Sequence, residues 1–177
     1  LSKFLIPPQG TKSSFVETID QSLKTIGVDS LDLMLIHQPG SSAVNHEAWQ
    51  ALEEMHTRGR VRAIGISNFN VQQMQALLAF GPQIPPAVNQ RSMNVMGQDN
   101  ANLQFCLDHN ITYQAYTPLG DGSVFSDSTV LKIAQAHNKS AAQVALRWVL
   151  ERGAVLTVQS ESAQHQFEDM DLFDFSL

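Results

Sequence analysis

Asp32 to Gly40, DLMLIHQPG, is the stretch whose reading decides the fold. Leu33, Met34, Leu35 and Ile36 form an unbroken apolar run. Continuous rather than alternating apolar character is the signature of a strand covered on both faces, as in parallel sheets. His37 follows at the end of the run, immediately before a Pro39-Gly40 turn, so the strand delivers one imidazole to the boundary between sheet and loop.

Outward from this strand, helix and strand patterns alternate. Upstream, Ser14 and Glu17 have the spacing of a capping box, and Phe15, Ile19, Leu23 and Ile26 recur at helical intervals until Gly27. Downstream, Trp49, Leu52 and Met55 mark a helix ending near Gly59, and VRAIGIS (Val61 to Ser67) reads as a strand. A helix over Val71 to Leu78, a strand AVNQ (Ala87 to Gln90), a helix from Asn100 to His109 and a strand over Ile111 to Tyr116 follow. Thr129 to Arg152 carries one long helix or two abutting ones, AVLTVQS (Ala154 to Ser160) is the last strand, and Gly120 to Ser128 is the best candidate for a mobile loop. With the opening LSKFLI, this makes six short strands separated by helices, hence an α/β chain with a parallel sheet. No Gly-x-Gly-x-x-Gly follows any strand, which favours a TIM-type (β/α) barrel over a Rossmann sheet.

The chain has 177 residues, 43% of them hydrophobic, enough for one core, and a single domain over residues 1–177 is expected. A formal charge of -6, with eleven Lys and Arg forming no basic block, argues against nucleic acid as a partner. One cysteine, Cys106, excludes an intramolecular disulfide and points to the cytoplasm. No apolar run approaches the roughly 20 residues of a membrane span. His46, His56, His109, His137 and His165 lack mutual ligand spacing, so no metal is expected, and Trp49, Trp148 and Cys106 read as core.

In a parallel barrel the side chains at the C-terminal strand ends converge on one face. Read to its end, each strand offers Lys3, His37, Ser67 with Asn68, Asn89 with Gln90, Tyr116, and Gln159 with Ser160. At these positions the chain resembles a known family. SLKTIGVDSLDLMLIHQP, EAWQALEEMHTRGRVRAIGISNF, AVNQ, QAYTPLG and SAAQVALRWVLERG are similar to consecutive blocks of the aldo-keto reductases.

That resemblance implies an eight-stranded barrel, of which about six βα units are present here, making an incomplete barrel. It also implies NADPH-dependent reduction of aldehydes and ketones by hydride transfer. His37 matches the histidine that orients the carbonyl, and Lys3 the lysine that lowers the pKa of a catalytic tyrosine. Ser67, Asn68 and Gln90 match the residues that hold the nicotinamide carboxamide, and Tyr116 the aromatic on which its ring stacks. Ser160 falls in the cofactor-binding set, and Glu168 and Asp169 match the polar pair at the adenine. The family's catalytic tyrosine and aspartate follow its first two strands, and this sequence starts at the third, so both are expected to be missing. The basic residues that hold the 2′-phosphate align with Gln159 and His165, so NADPH is expected to bind weakly or not at all.

Three functions are consistent with that pattern. The first expectation is a non-redox enzyme in which His37, with Lys3, carries out acid/base chemistry on a small carbonyl compound, such as isomerisation, dehydration or cyclisation. The second is NADPH-dependent carbonyl reduction, with the missing residues supplied by a longer chain or another subunit. The third is a non-catalytic binding protein, self-associating through exposed barrel edges.

Overall fold

A computed structural model describes residues 1–177. The chain divides into two compact units, Leu1–Asn89 and Gln90–Leu177. The strands run in the order β1-β2-β3-β4-β5-β6 within one α/β sheet.

The first unit holds β1 (Ser2–Phe4), α1 (Lys12–Ile26), β2 (Leu31–Ile36), α2 (Ser42–Thr57), β3 (Val61–Ser67), α3 (Val71–Ala79) and the start of β4 (Val88–Ser92). β1, β2 and β3 pair in parallel, with Lys3 opposite Leu35 and Met34 opposite Ile64. In β2, Met34, Leu35 and Ile36 are fully buried, as expected of a strand covered on both faces. Phe15, Ile19 and Leu23 of α1 and Ala48, Trp49, Leu52 and Met55 of α2 pack over these strands, each large side chain stabilising by about 1.5–3 kcal/mol. The Trp49 indole donates to the carbonyl of Ile84 at 3.1 Å, so its one polar atom is satisfied inside the core. Gly65 in β3 marks a close approach: a Cβ there would lie 2.6 Å from the carbonyl oxygen of Val88.

The second unit continues β4 and adds α4 (Asn100–Asp108), β5 (Thr112–Tyr116), a 3-10 helix (Gly120–Phe125), α5 (Ser128–His137), α6 (Ala141–Glu151), β6 (Val155–Leu156) and α7 (Ala163–Met170). Its core joins Val124 of the 3-10 helix to Val130, Ala134, Val144 and Ala145 of α5 and α6. Trp148 of α6 is half-buried, with the Arg152 guanidinium 5.3 Å from its ring. α7 buries none of its own residues. It is held instead by the segment that follows: Lys139 bridges Asp171 and Asp174, Gln143 donates to Asp171, and Arg147 donates to the carbonyl of Leu172.

Three expectations differ in detail. The cap of α1 is Thr11 rather than Ser14; the Thr11 hydroxyl accepts from Ser14 N–H and Ser14 answers the Thr11 N–H. Gly120 to Ser128 is not an open loop, because Val124 is drawn fully into the core. The long helical stretch takes the second of its two expected forms, two helices, broken where Asn138 takes a left-handed conformation with φ 53°. The last strand is two residues long: Thr157 N–H still reaches the carbonyl of Ala115, and the chain then leaves the ladder.

Candidate functional site

In the first unit the strand ends gather Lys3, His37, Ser67 and Asn68. Lys3 lies within β1, and His37 follows β2 with its N–H bonded to the carbonyl of Phe4 at 2.9 Å. The Asn68 amide donates to the carbonyl of His37 at 2.9 Å and to the Ser67 hydroxyl at 3.1 Å, tying the end of β3 to the end of β2. Ser67 is completely buried. Asn68 adopts φ 64°, a conformation that Asn tolerates and most other residues do not. Partial burial of the His37 imidazole, reinforced by the positive charge of Lys3, holds its pKa below the ordinary 6.5. His37 is therefore neutral at neutral pH, with one ring N–H to donate and one ring nitrogen to accept.

In the second unit Gln90 and Tyr116 occupy strand positions on β4 and β5. Gln90 is buried and its amide donates to the Gln114 side chain at 2.8 Å. Tyr116 is half-buried at the end of β5, followed by Thr117 at φ 53°. A β-branched residue in the left-handed region stores strain of about 1–3 kcal/mol. Left-handed residues thus follow the candidates on both β3 and β5. The other tyrosine, Tyr113, is fully buried and donates to Asp99 at 2.8 Å. Burial, and then the carboxylate of Asp99, push its hydroxyl far above the usual tyrosine range, so it is locked as a neutral donor.

Also within the second unit, a cleft of about 330 Å³ collects the remaining candidates, Gln159, Ser160, His165, Glu168 and Asp169, beside Ser140 at the start of α6. Burial raises the pKa of Asp169; the nearby charge of His165 opposes the rise and that of Glu168 adds to it. No lysine or arginine lines this cleft.

The Arg91, Asp99, Asn102 and Tyr113 network has no counterpart in the sequence reading. Asp99 accepts from Arg91 at 2.5 Å, Asn102 at 2.7 Å and Tyr113 at 2.8 Å, and Tyr113 also reaches the carbonyl of Ser92 at 3.3 Å. It ties Arg91 of β4 and Tyr113 of β5 to Asp99 at the start of α4, and so braces the segment between β4 and α4. The available signal was a lone Arg, Asp and Tyr spread over separate elements, which no local pattern joins.

For a nicotinamide dinucleotide the residues divide. In the first unit a hydroxyl and an amide at Ser67 and Asn68 are of the chemistry a carboxamide needs; in the second, Gln90 offers another amide and the Tyr116 ring an apolar face. The cleft at Gln159 and His165 does not fit a 2′-phosphate, because the carboxyl groups of Glu168 and Asp169 line it and no lysine or arginine does.

Comparison with known proteins bears on the whole chain. The model of the Aldo/keto reductase family matches residues 2–177. Glyoxal reductase of Bacillus subtilis is 36% identical over 176 residues, covering 99% of this chain and 63% of that protein. Among solved structures, an aldo-keto reductase enzyme from a Medee basin deep-sea metagenome library superposes with a TM-score of 0.91 at 33% identity, covering 99% of this chain and 65% of the other. A Bombyx mori aldo-keto reductase in complex with NADP gives 0.87 at 28% identity, over 99% and 63%. The chain spans about six-tenths of the length of the curated relatives it matches.

Proposed function

The chain belongs to the aldo/keto reductase family, and on that premise we propose that it serves the reduction of a small aldehyde or ketone by a nicotinamide dinucleotide. The observation that carries this reading is a neutral His37 at the end of β2, with Lys3 of β1 near enough for its charge to act on the ring. When bound, the dinucleotide supplies a hydride to the carbonyl carbon. The neutral imidazole donates its ring N–H to the carbonyl oxygen, polarising and orienting it, and Lys3 lends positive charge where negative charge grows. Asn68 keeps the His37 backbone in place. Ser67, Asn68 and Gln90 hold the carboxamide, Tyr116 supports the ring, and Ser160, Glu168 and Asp169 face the adenosine end. That residues 1–177 work as one domain belongs to the same proposal.

Neither tyrosine of the chain serves as proton donor in this reading: Tyr113 is committed to Asp99, and Tyr116 is the ring support. The donor and its partner aspartate come from outside residues 1–177, through a longer chain or a second subunit. The test is aldehyde-dependent oxidation of reduced dinucleotide. Activity that falls by about 10²–10⁴-fold in His37→Ala supports the proposal; activity that survives this change removes His37 from it.

A second reading is favoured by the same neutral histidine. Proton transfer by His37 and Lys3 on a small carbonyl compound, giving isomerisation, dehydration or cyclisation, needs no dinucleotide. Turnover without any nicotinamide, lost in His37→Ala, would establish it. Absence of such turnover with substrates that are reduced when dinucleotide is added would eliminate it.

A further inference from the structure

The cleft in the second unit carries an inference about which dinucleotide is used. It rests on the preceding reading, in which the adenosine end lies in this cleft. We propose that the cleft selects an adenosine whose ribose bears a free 2′-hydroxyl and rejects the 2′-phosphate, so that the chain uses NAD(H) in preference to NADP(H).

Charge in the cleft opposes a phosphate. A phosphate monoester brings roughly -1.5 to -2 charges at neutral pH and asks for cationic or N–H donors. The cleft of about 330 Å³ offers Glu168 and Asp169, with neutral hydroxyls at Ser140 and Ser160, the Gln159 amide and the His165 ring beside them, and no lysine or arginine. Three of the backbone donors at the neighbouring helix starts are already engaged. At α6, Ser140 N–H is bonded to the Gln143 side chain and Gln143 N–H to the Ser140 hydroxyl; at α7, His165 N–H is bonded to the Ser162 hydroxyl.

A ribose diol reverses the match. Its hydroxyls donate, and carboxylates are acceptors in need of donors, which is the chemistry by which an acidic side chain recognises a 2′-hydroxyl in other dinucleotide sites. Asp169 is partly sheltered from water, so a hydrogen bond to it competes with solvent better than one at an open surface. The same two carboxylates that welcome a diol repel a phosphate.

The experiment compares NADH and NADPH by fluorescence titration of the full chain, with ADP-ribose and its 2′-phosphate as non-redox probes in calorimetry. The expected result is NADH tighter than NADPH by about tenfold or more, with the two probes ranked the same way. The double variant Gln159→Lys, His165→Arg is expected to narrow or reverse that order. NADPH binding as tightly as NADH to the natural chain, or an order that the double variant leaves untouched, would overturn the inference while leaving the proposed function standing. Binding of neither dinucleotide would overturn both, and would leave acid/base chemistry without nicotinamide as the reading to pursue.

Discussion

Asn68 donates its side-chain amide to the carbonyl oxygen of His37 at 2.9 Å, from a backbone held at φ 64°. One residue therefore both makes the left-handed turn after β3 and anchors the loop that follows β2. Asn68→Ala loses two hydrogen bonds and places a Cβ-bearing residue with no polar compensation in the left-handed region. The expected cost is about 1–3 kcal/mol, read as a lowered urea midpoint with an unchanged slope. Asn68→Gly is expected to recover part of it, because glycine accepts the conformation without restoring the bonds. Equal midpoints for all three proteins would end this role.

Burial first, and then the charge of Lys3, hold the His37 pKa down. Replacing Lys3 by Met removes the second cause and retains the first. The His37 titration, followed by NMR of the ring protons, is expected to move upward in Lys3→Met without losing the contribution of burial. Because the folded chain binds this proton less readily than the unfolded one, falling pH through the ordinary histidine range favours unfolding, and Lys3→Met reduces that penalty. A His37 titration that stays in place, or moves down, would show that Lys3 does not act on the ring.

Asp99 faces a different balance. Burial alone would raise its pKa, but hydrogen bonds from Arg91, Asn102 and Tyr113, with the Arg91 charge, leave it below the ordinary 3.8. A depressed carboxylate contributes stability that is present above its unfolded pKa and lost as pH falls through the folded value. Asp99→Ala is expected to cost about 2–3 kcal/mol at neutral pH, discounted from a fully buried pair because the carboxylate retains some solvent contact. The variant should also lose part of the natural chain's acid sensitivity below about pH 4. Melting curves across that range check both; parallel curves for the two proteins would contradict the pH argument.

α7 has no buried residue of its own and depends on the latch at Lys139, which contacts Asp171 at 2.8 Å and Asp174 at 2.7 Å. Lys139→Met is expected to speed hydrogen exchange at the amides of Ala163 to Met170 while leaving α1 and α2 at their natural rates. Added salt should produce a smaller effect of the same kind in the natural chain. Unchanged exchange in α7 would show that Leu172 and the Arg147 contact suffice to hold it.

What was legible in the sequence follows from how local each signal is. The β2 strand was readable because four consecutive apolar residues have few other uses, and His37 because it ends that run. The cap of α1 was misplaced because Thr11, Ser13 and Ser14 all offer hydroxyls within four residues, and only geometry shows which one closes the box. Gly120 to Ser128 reads as a loop by its glycines and serines, yet one valine, Val124, was enough to draw it inward. The brace at Asp99 was illegible because its partners come from β4, α4 and β5 and meet only in three dimensions. In the cofactor-facing set, residue types were readable and surroundings were not: the sequence placed Glu168 and Asp169, whereas the cleft that gathers them with His165 required the fold.

The two tryptophans fall one to each unit: Trp49 is sealed in the core of the first, and Trp148 lies half-covered beneath Arg152 in the second. The molecule thereby carries an intrinsic reporter in each half. With Trp148→Phe, emission follows the unit of His37; with Trp49→Phe, it follows the unit of the adenosine cleft. Superimposable denaturation curves mark a single cooperative transition, and separated curves mark halves that melt in sequence. Ligand titrations become resolvable in the same way, since emission that changes only in the Trp148 background assigns binding to the carboxylate-lined half.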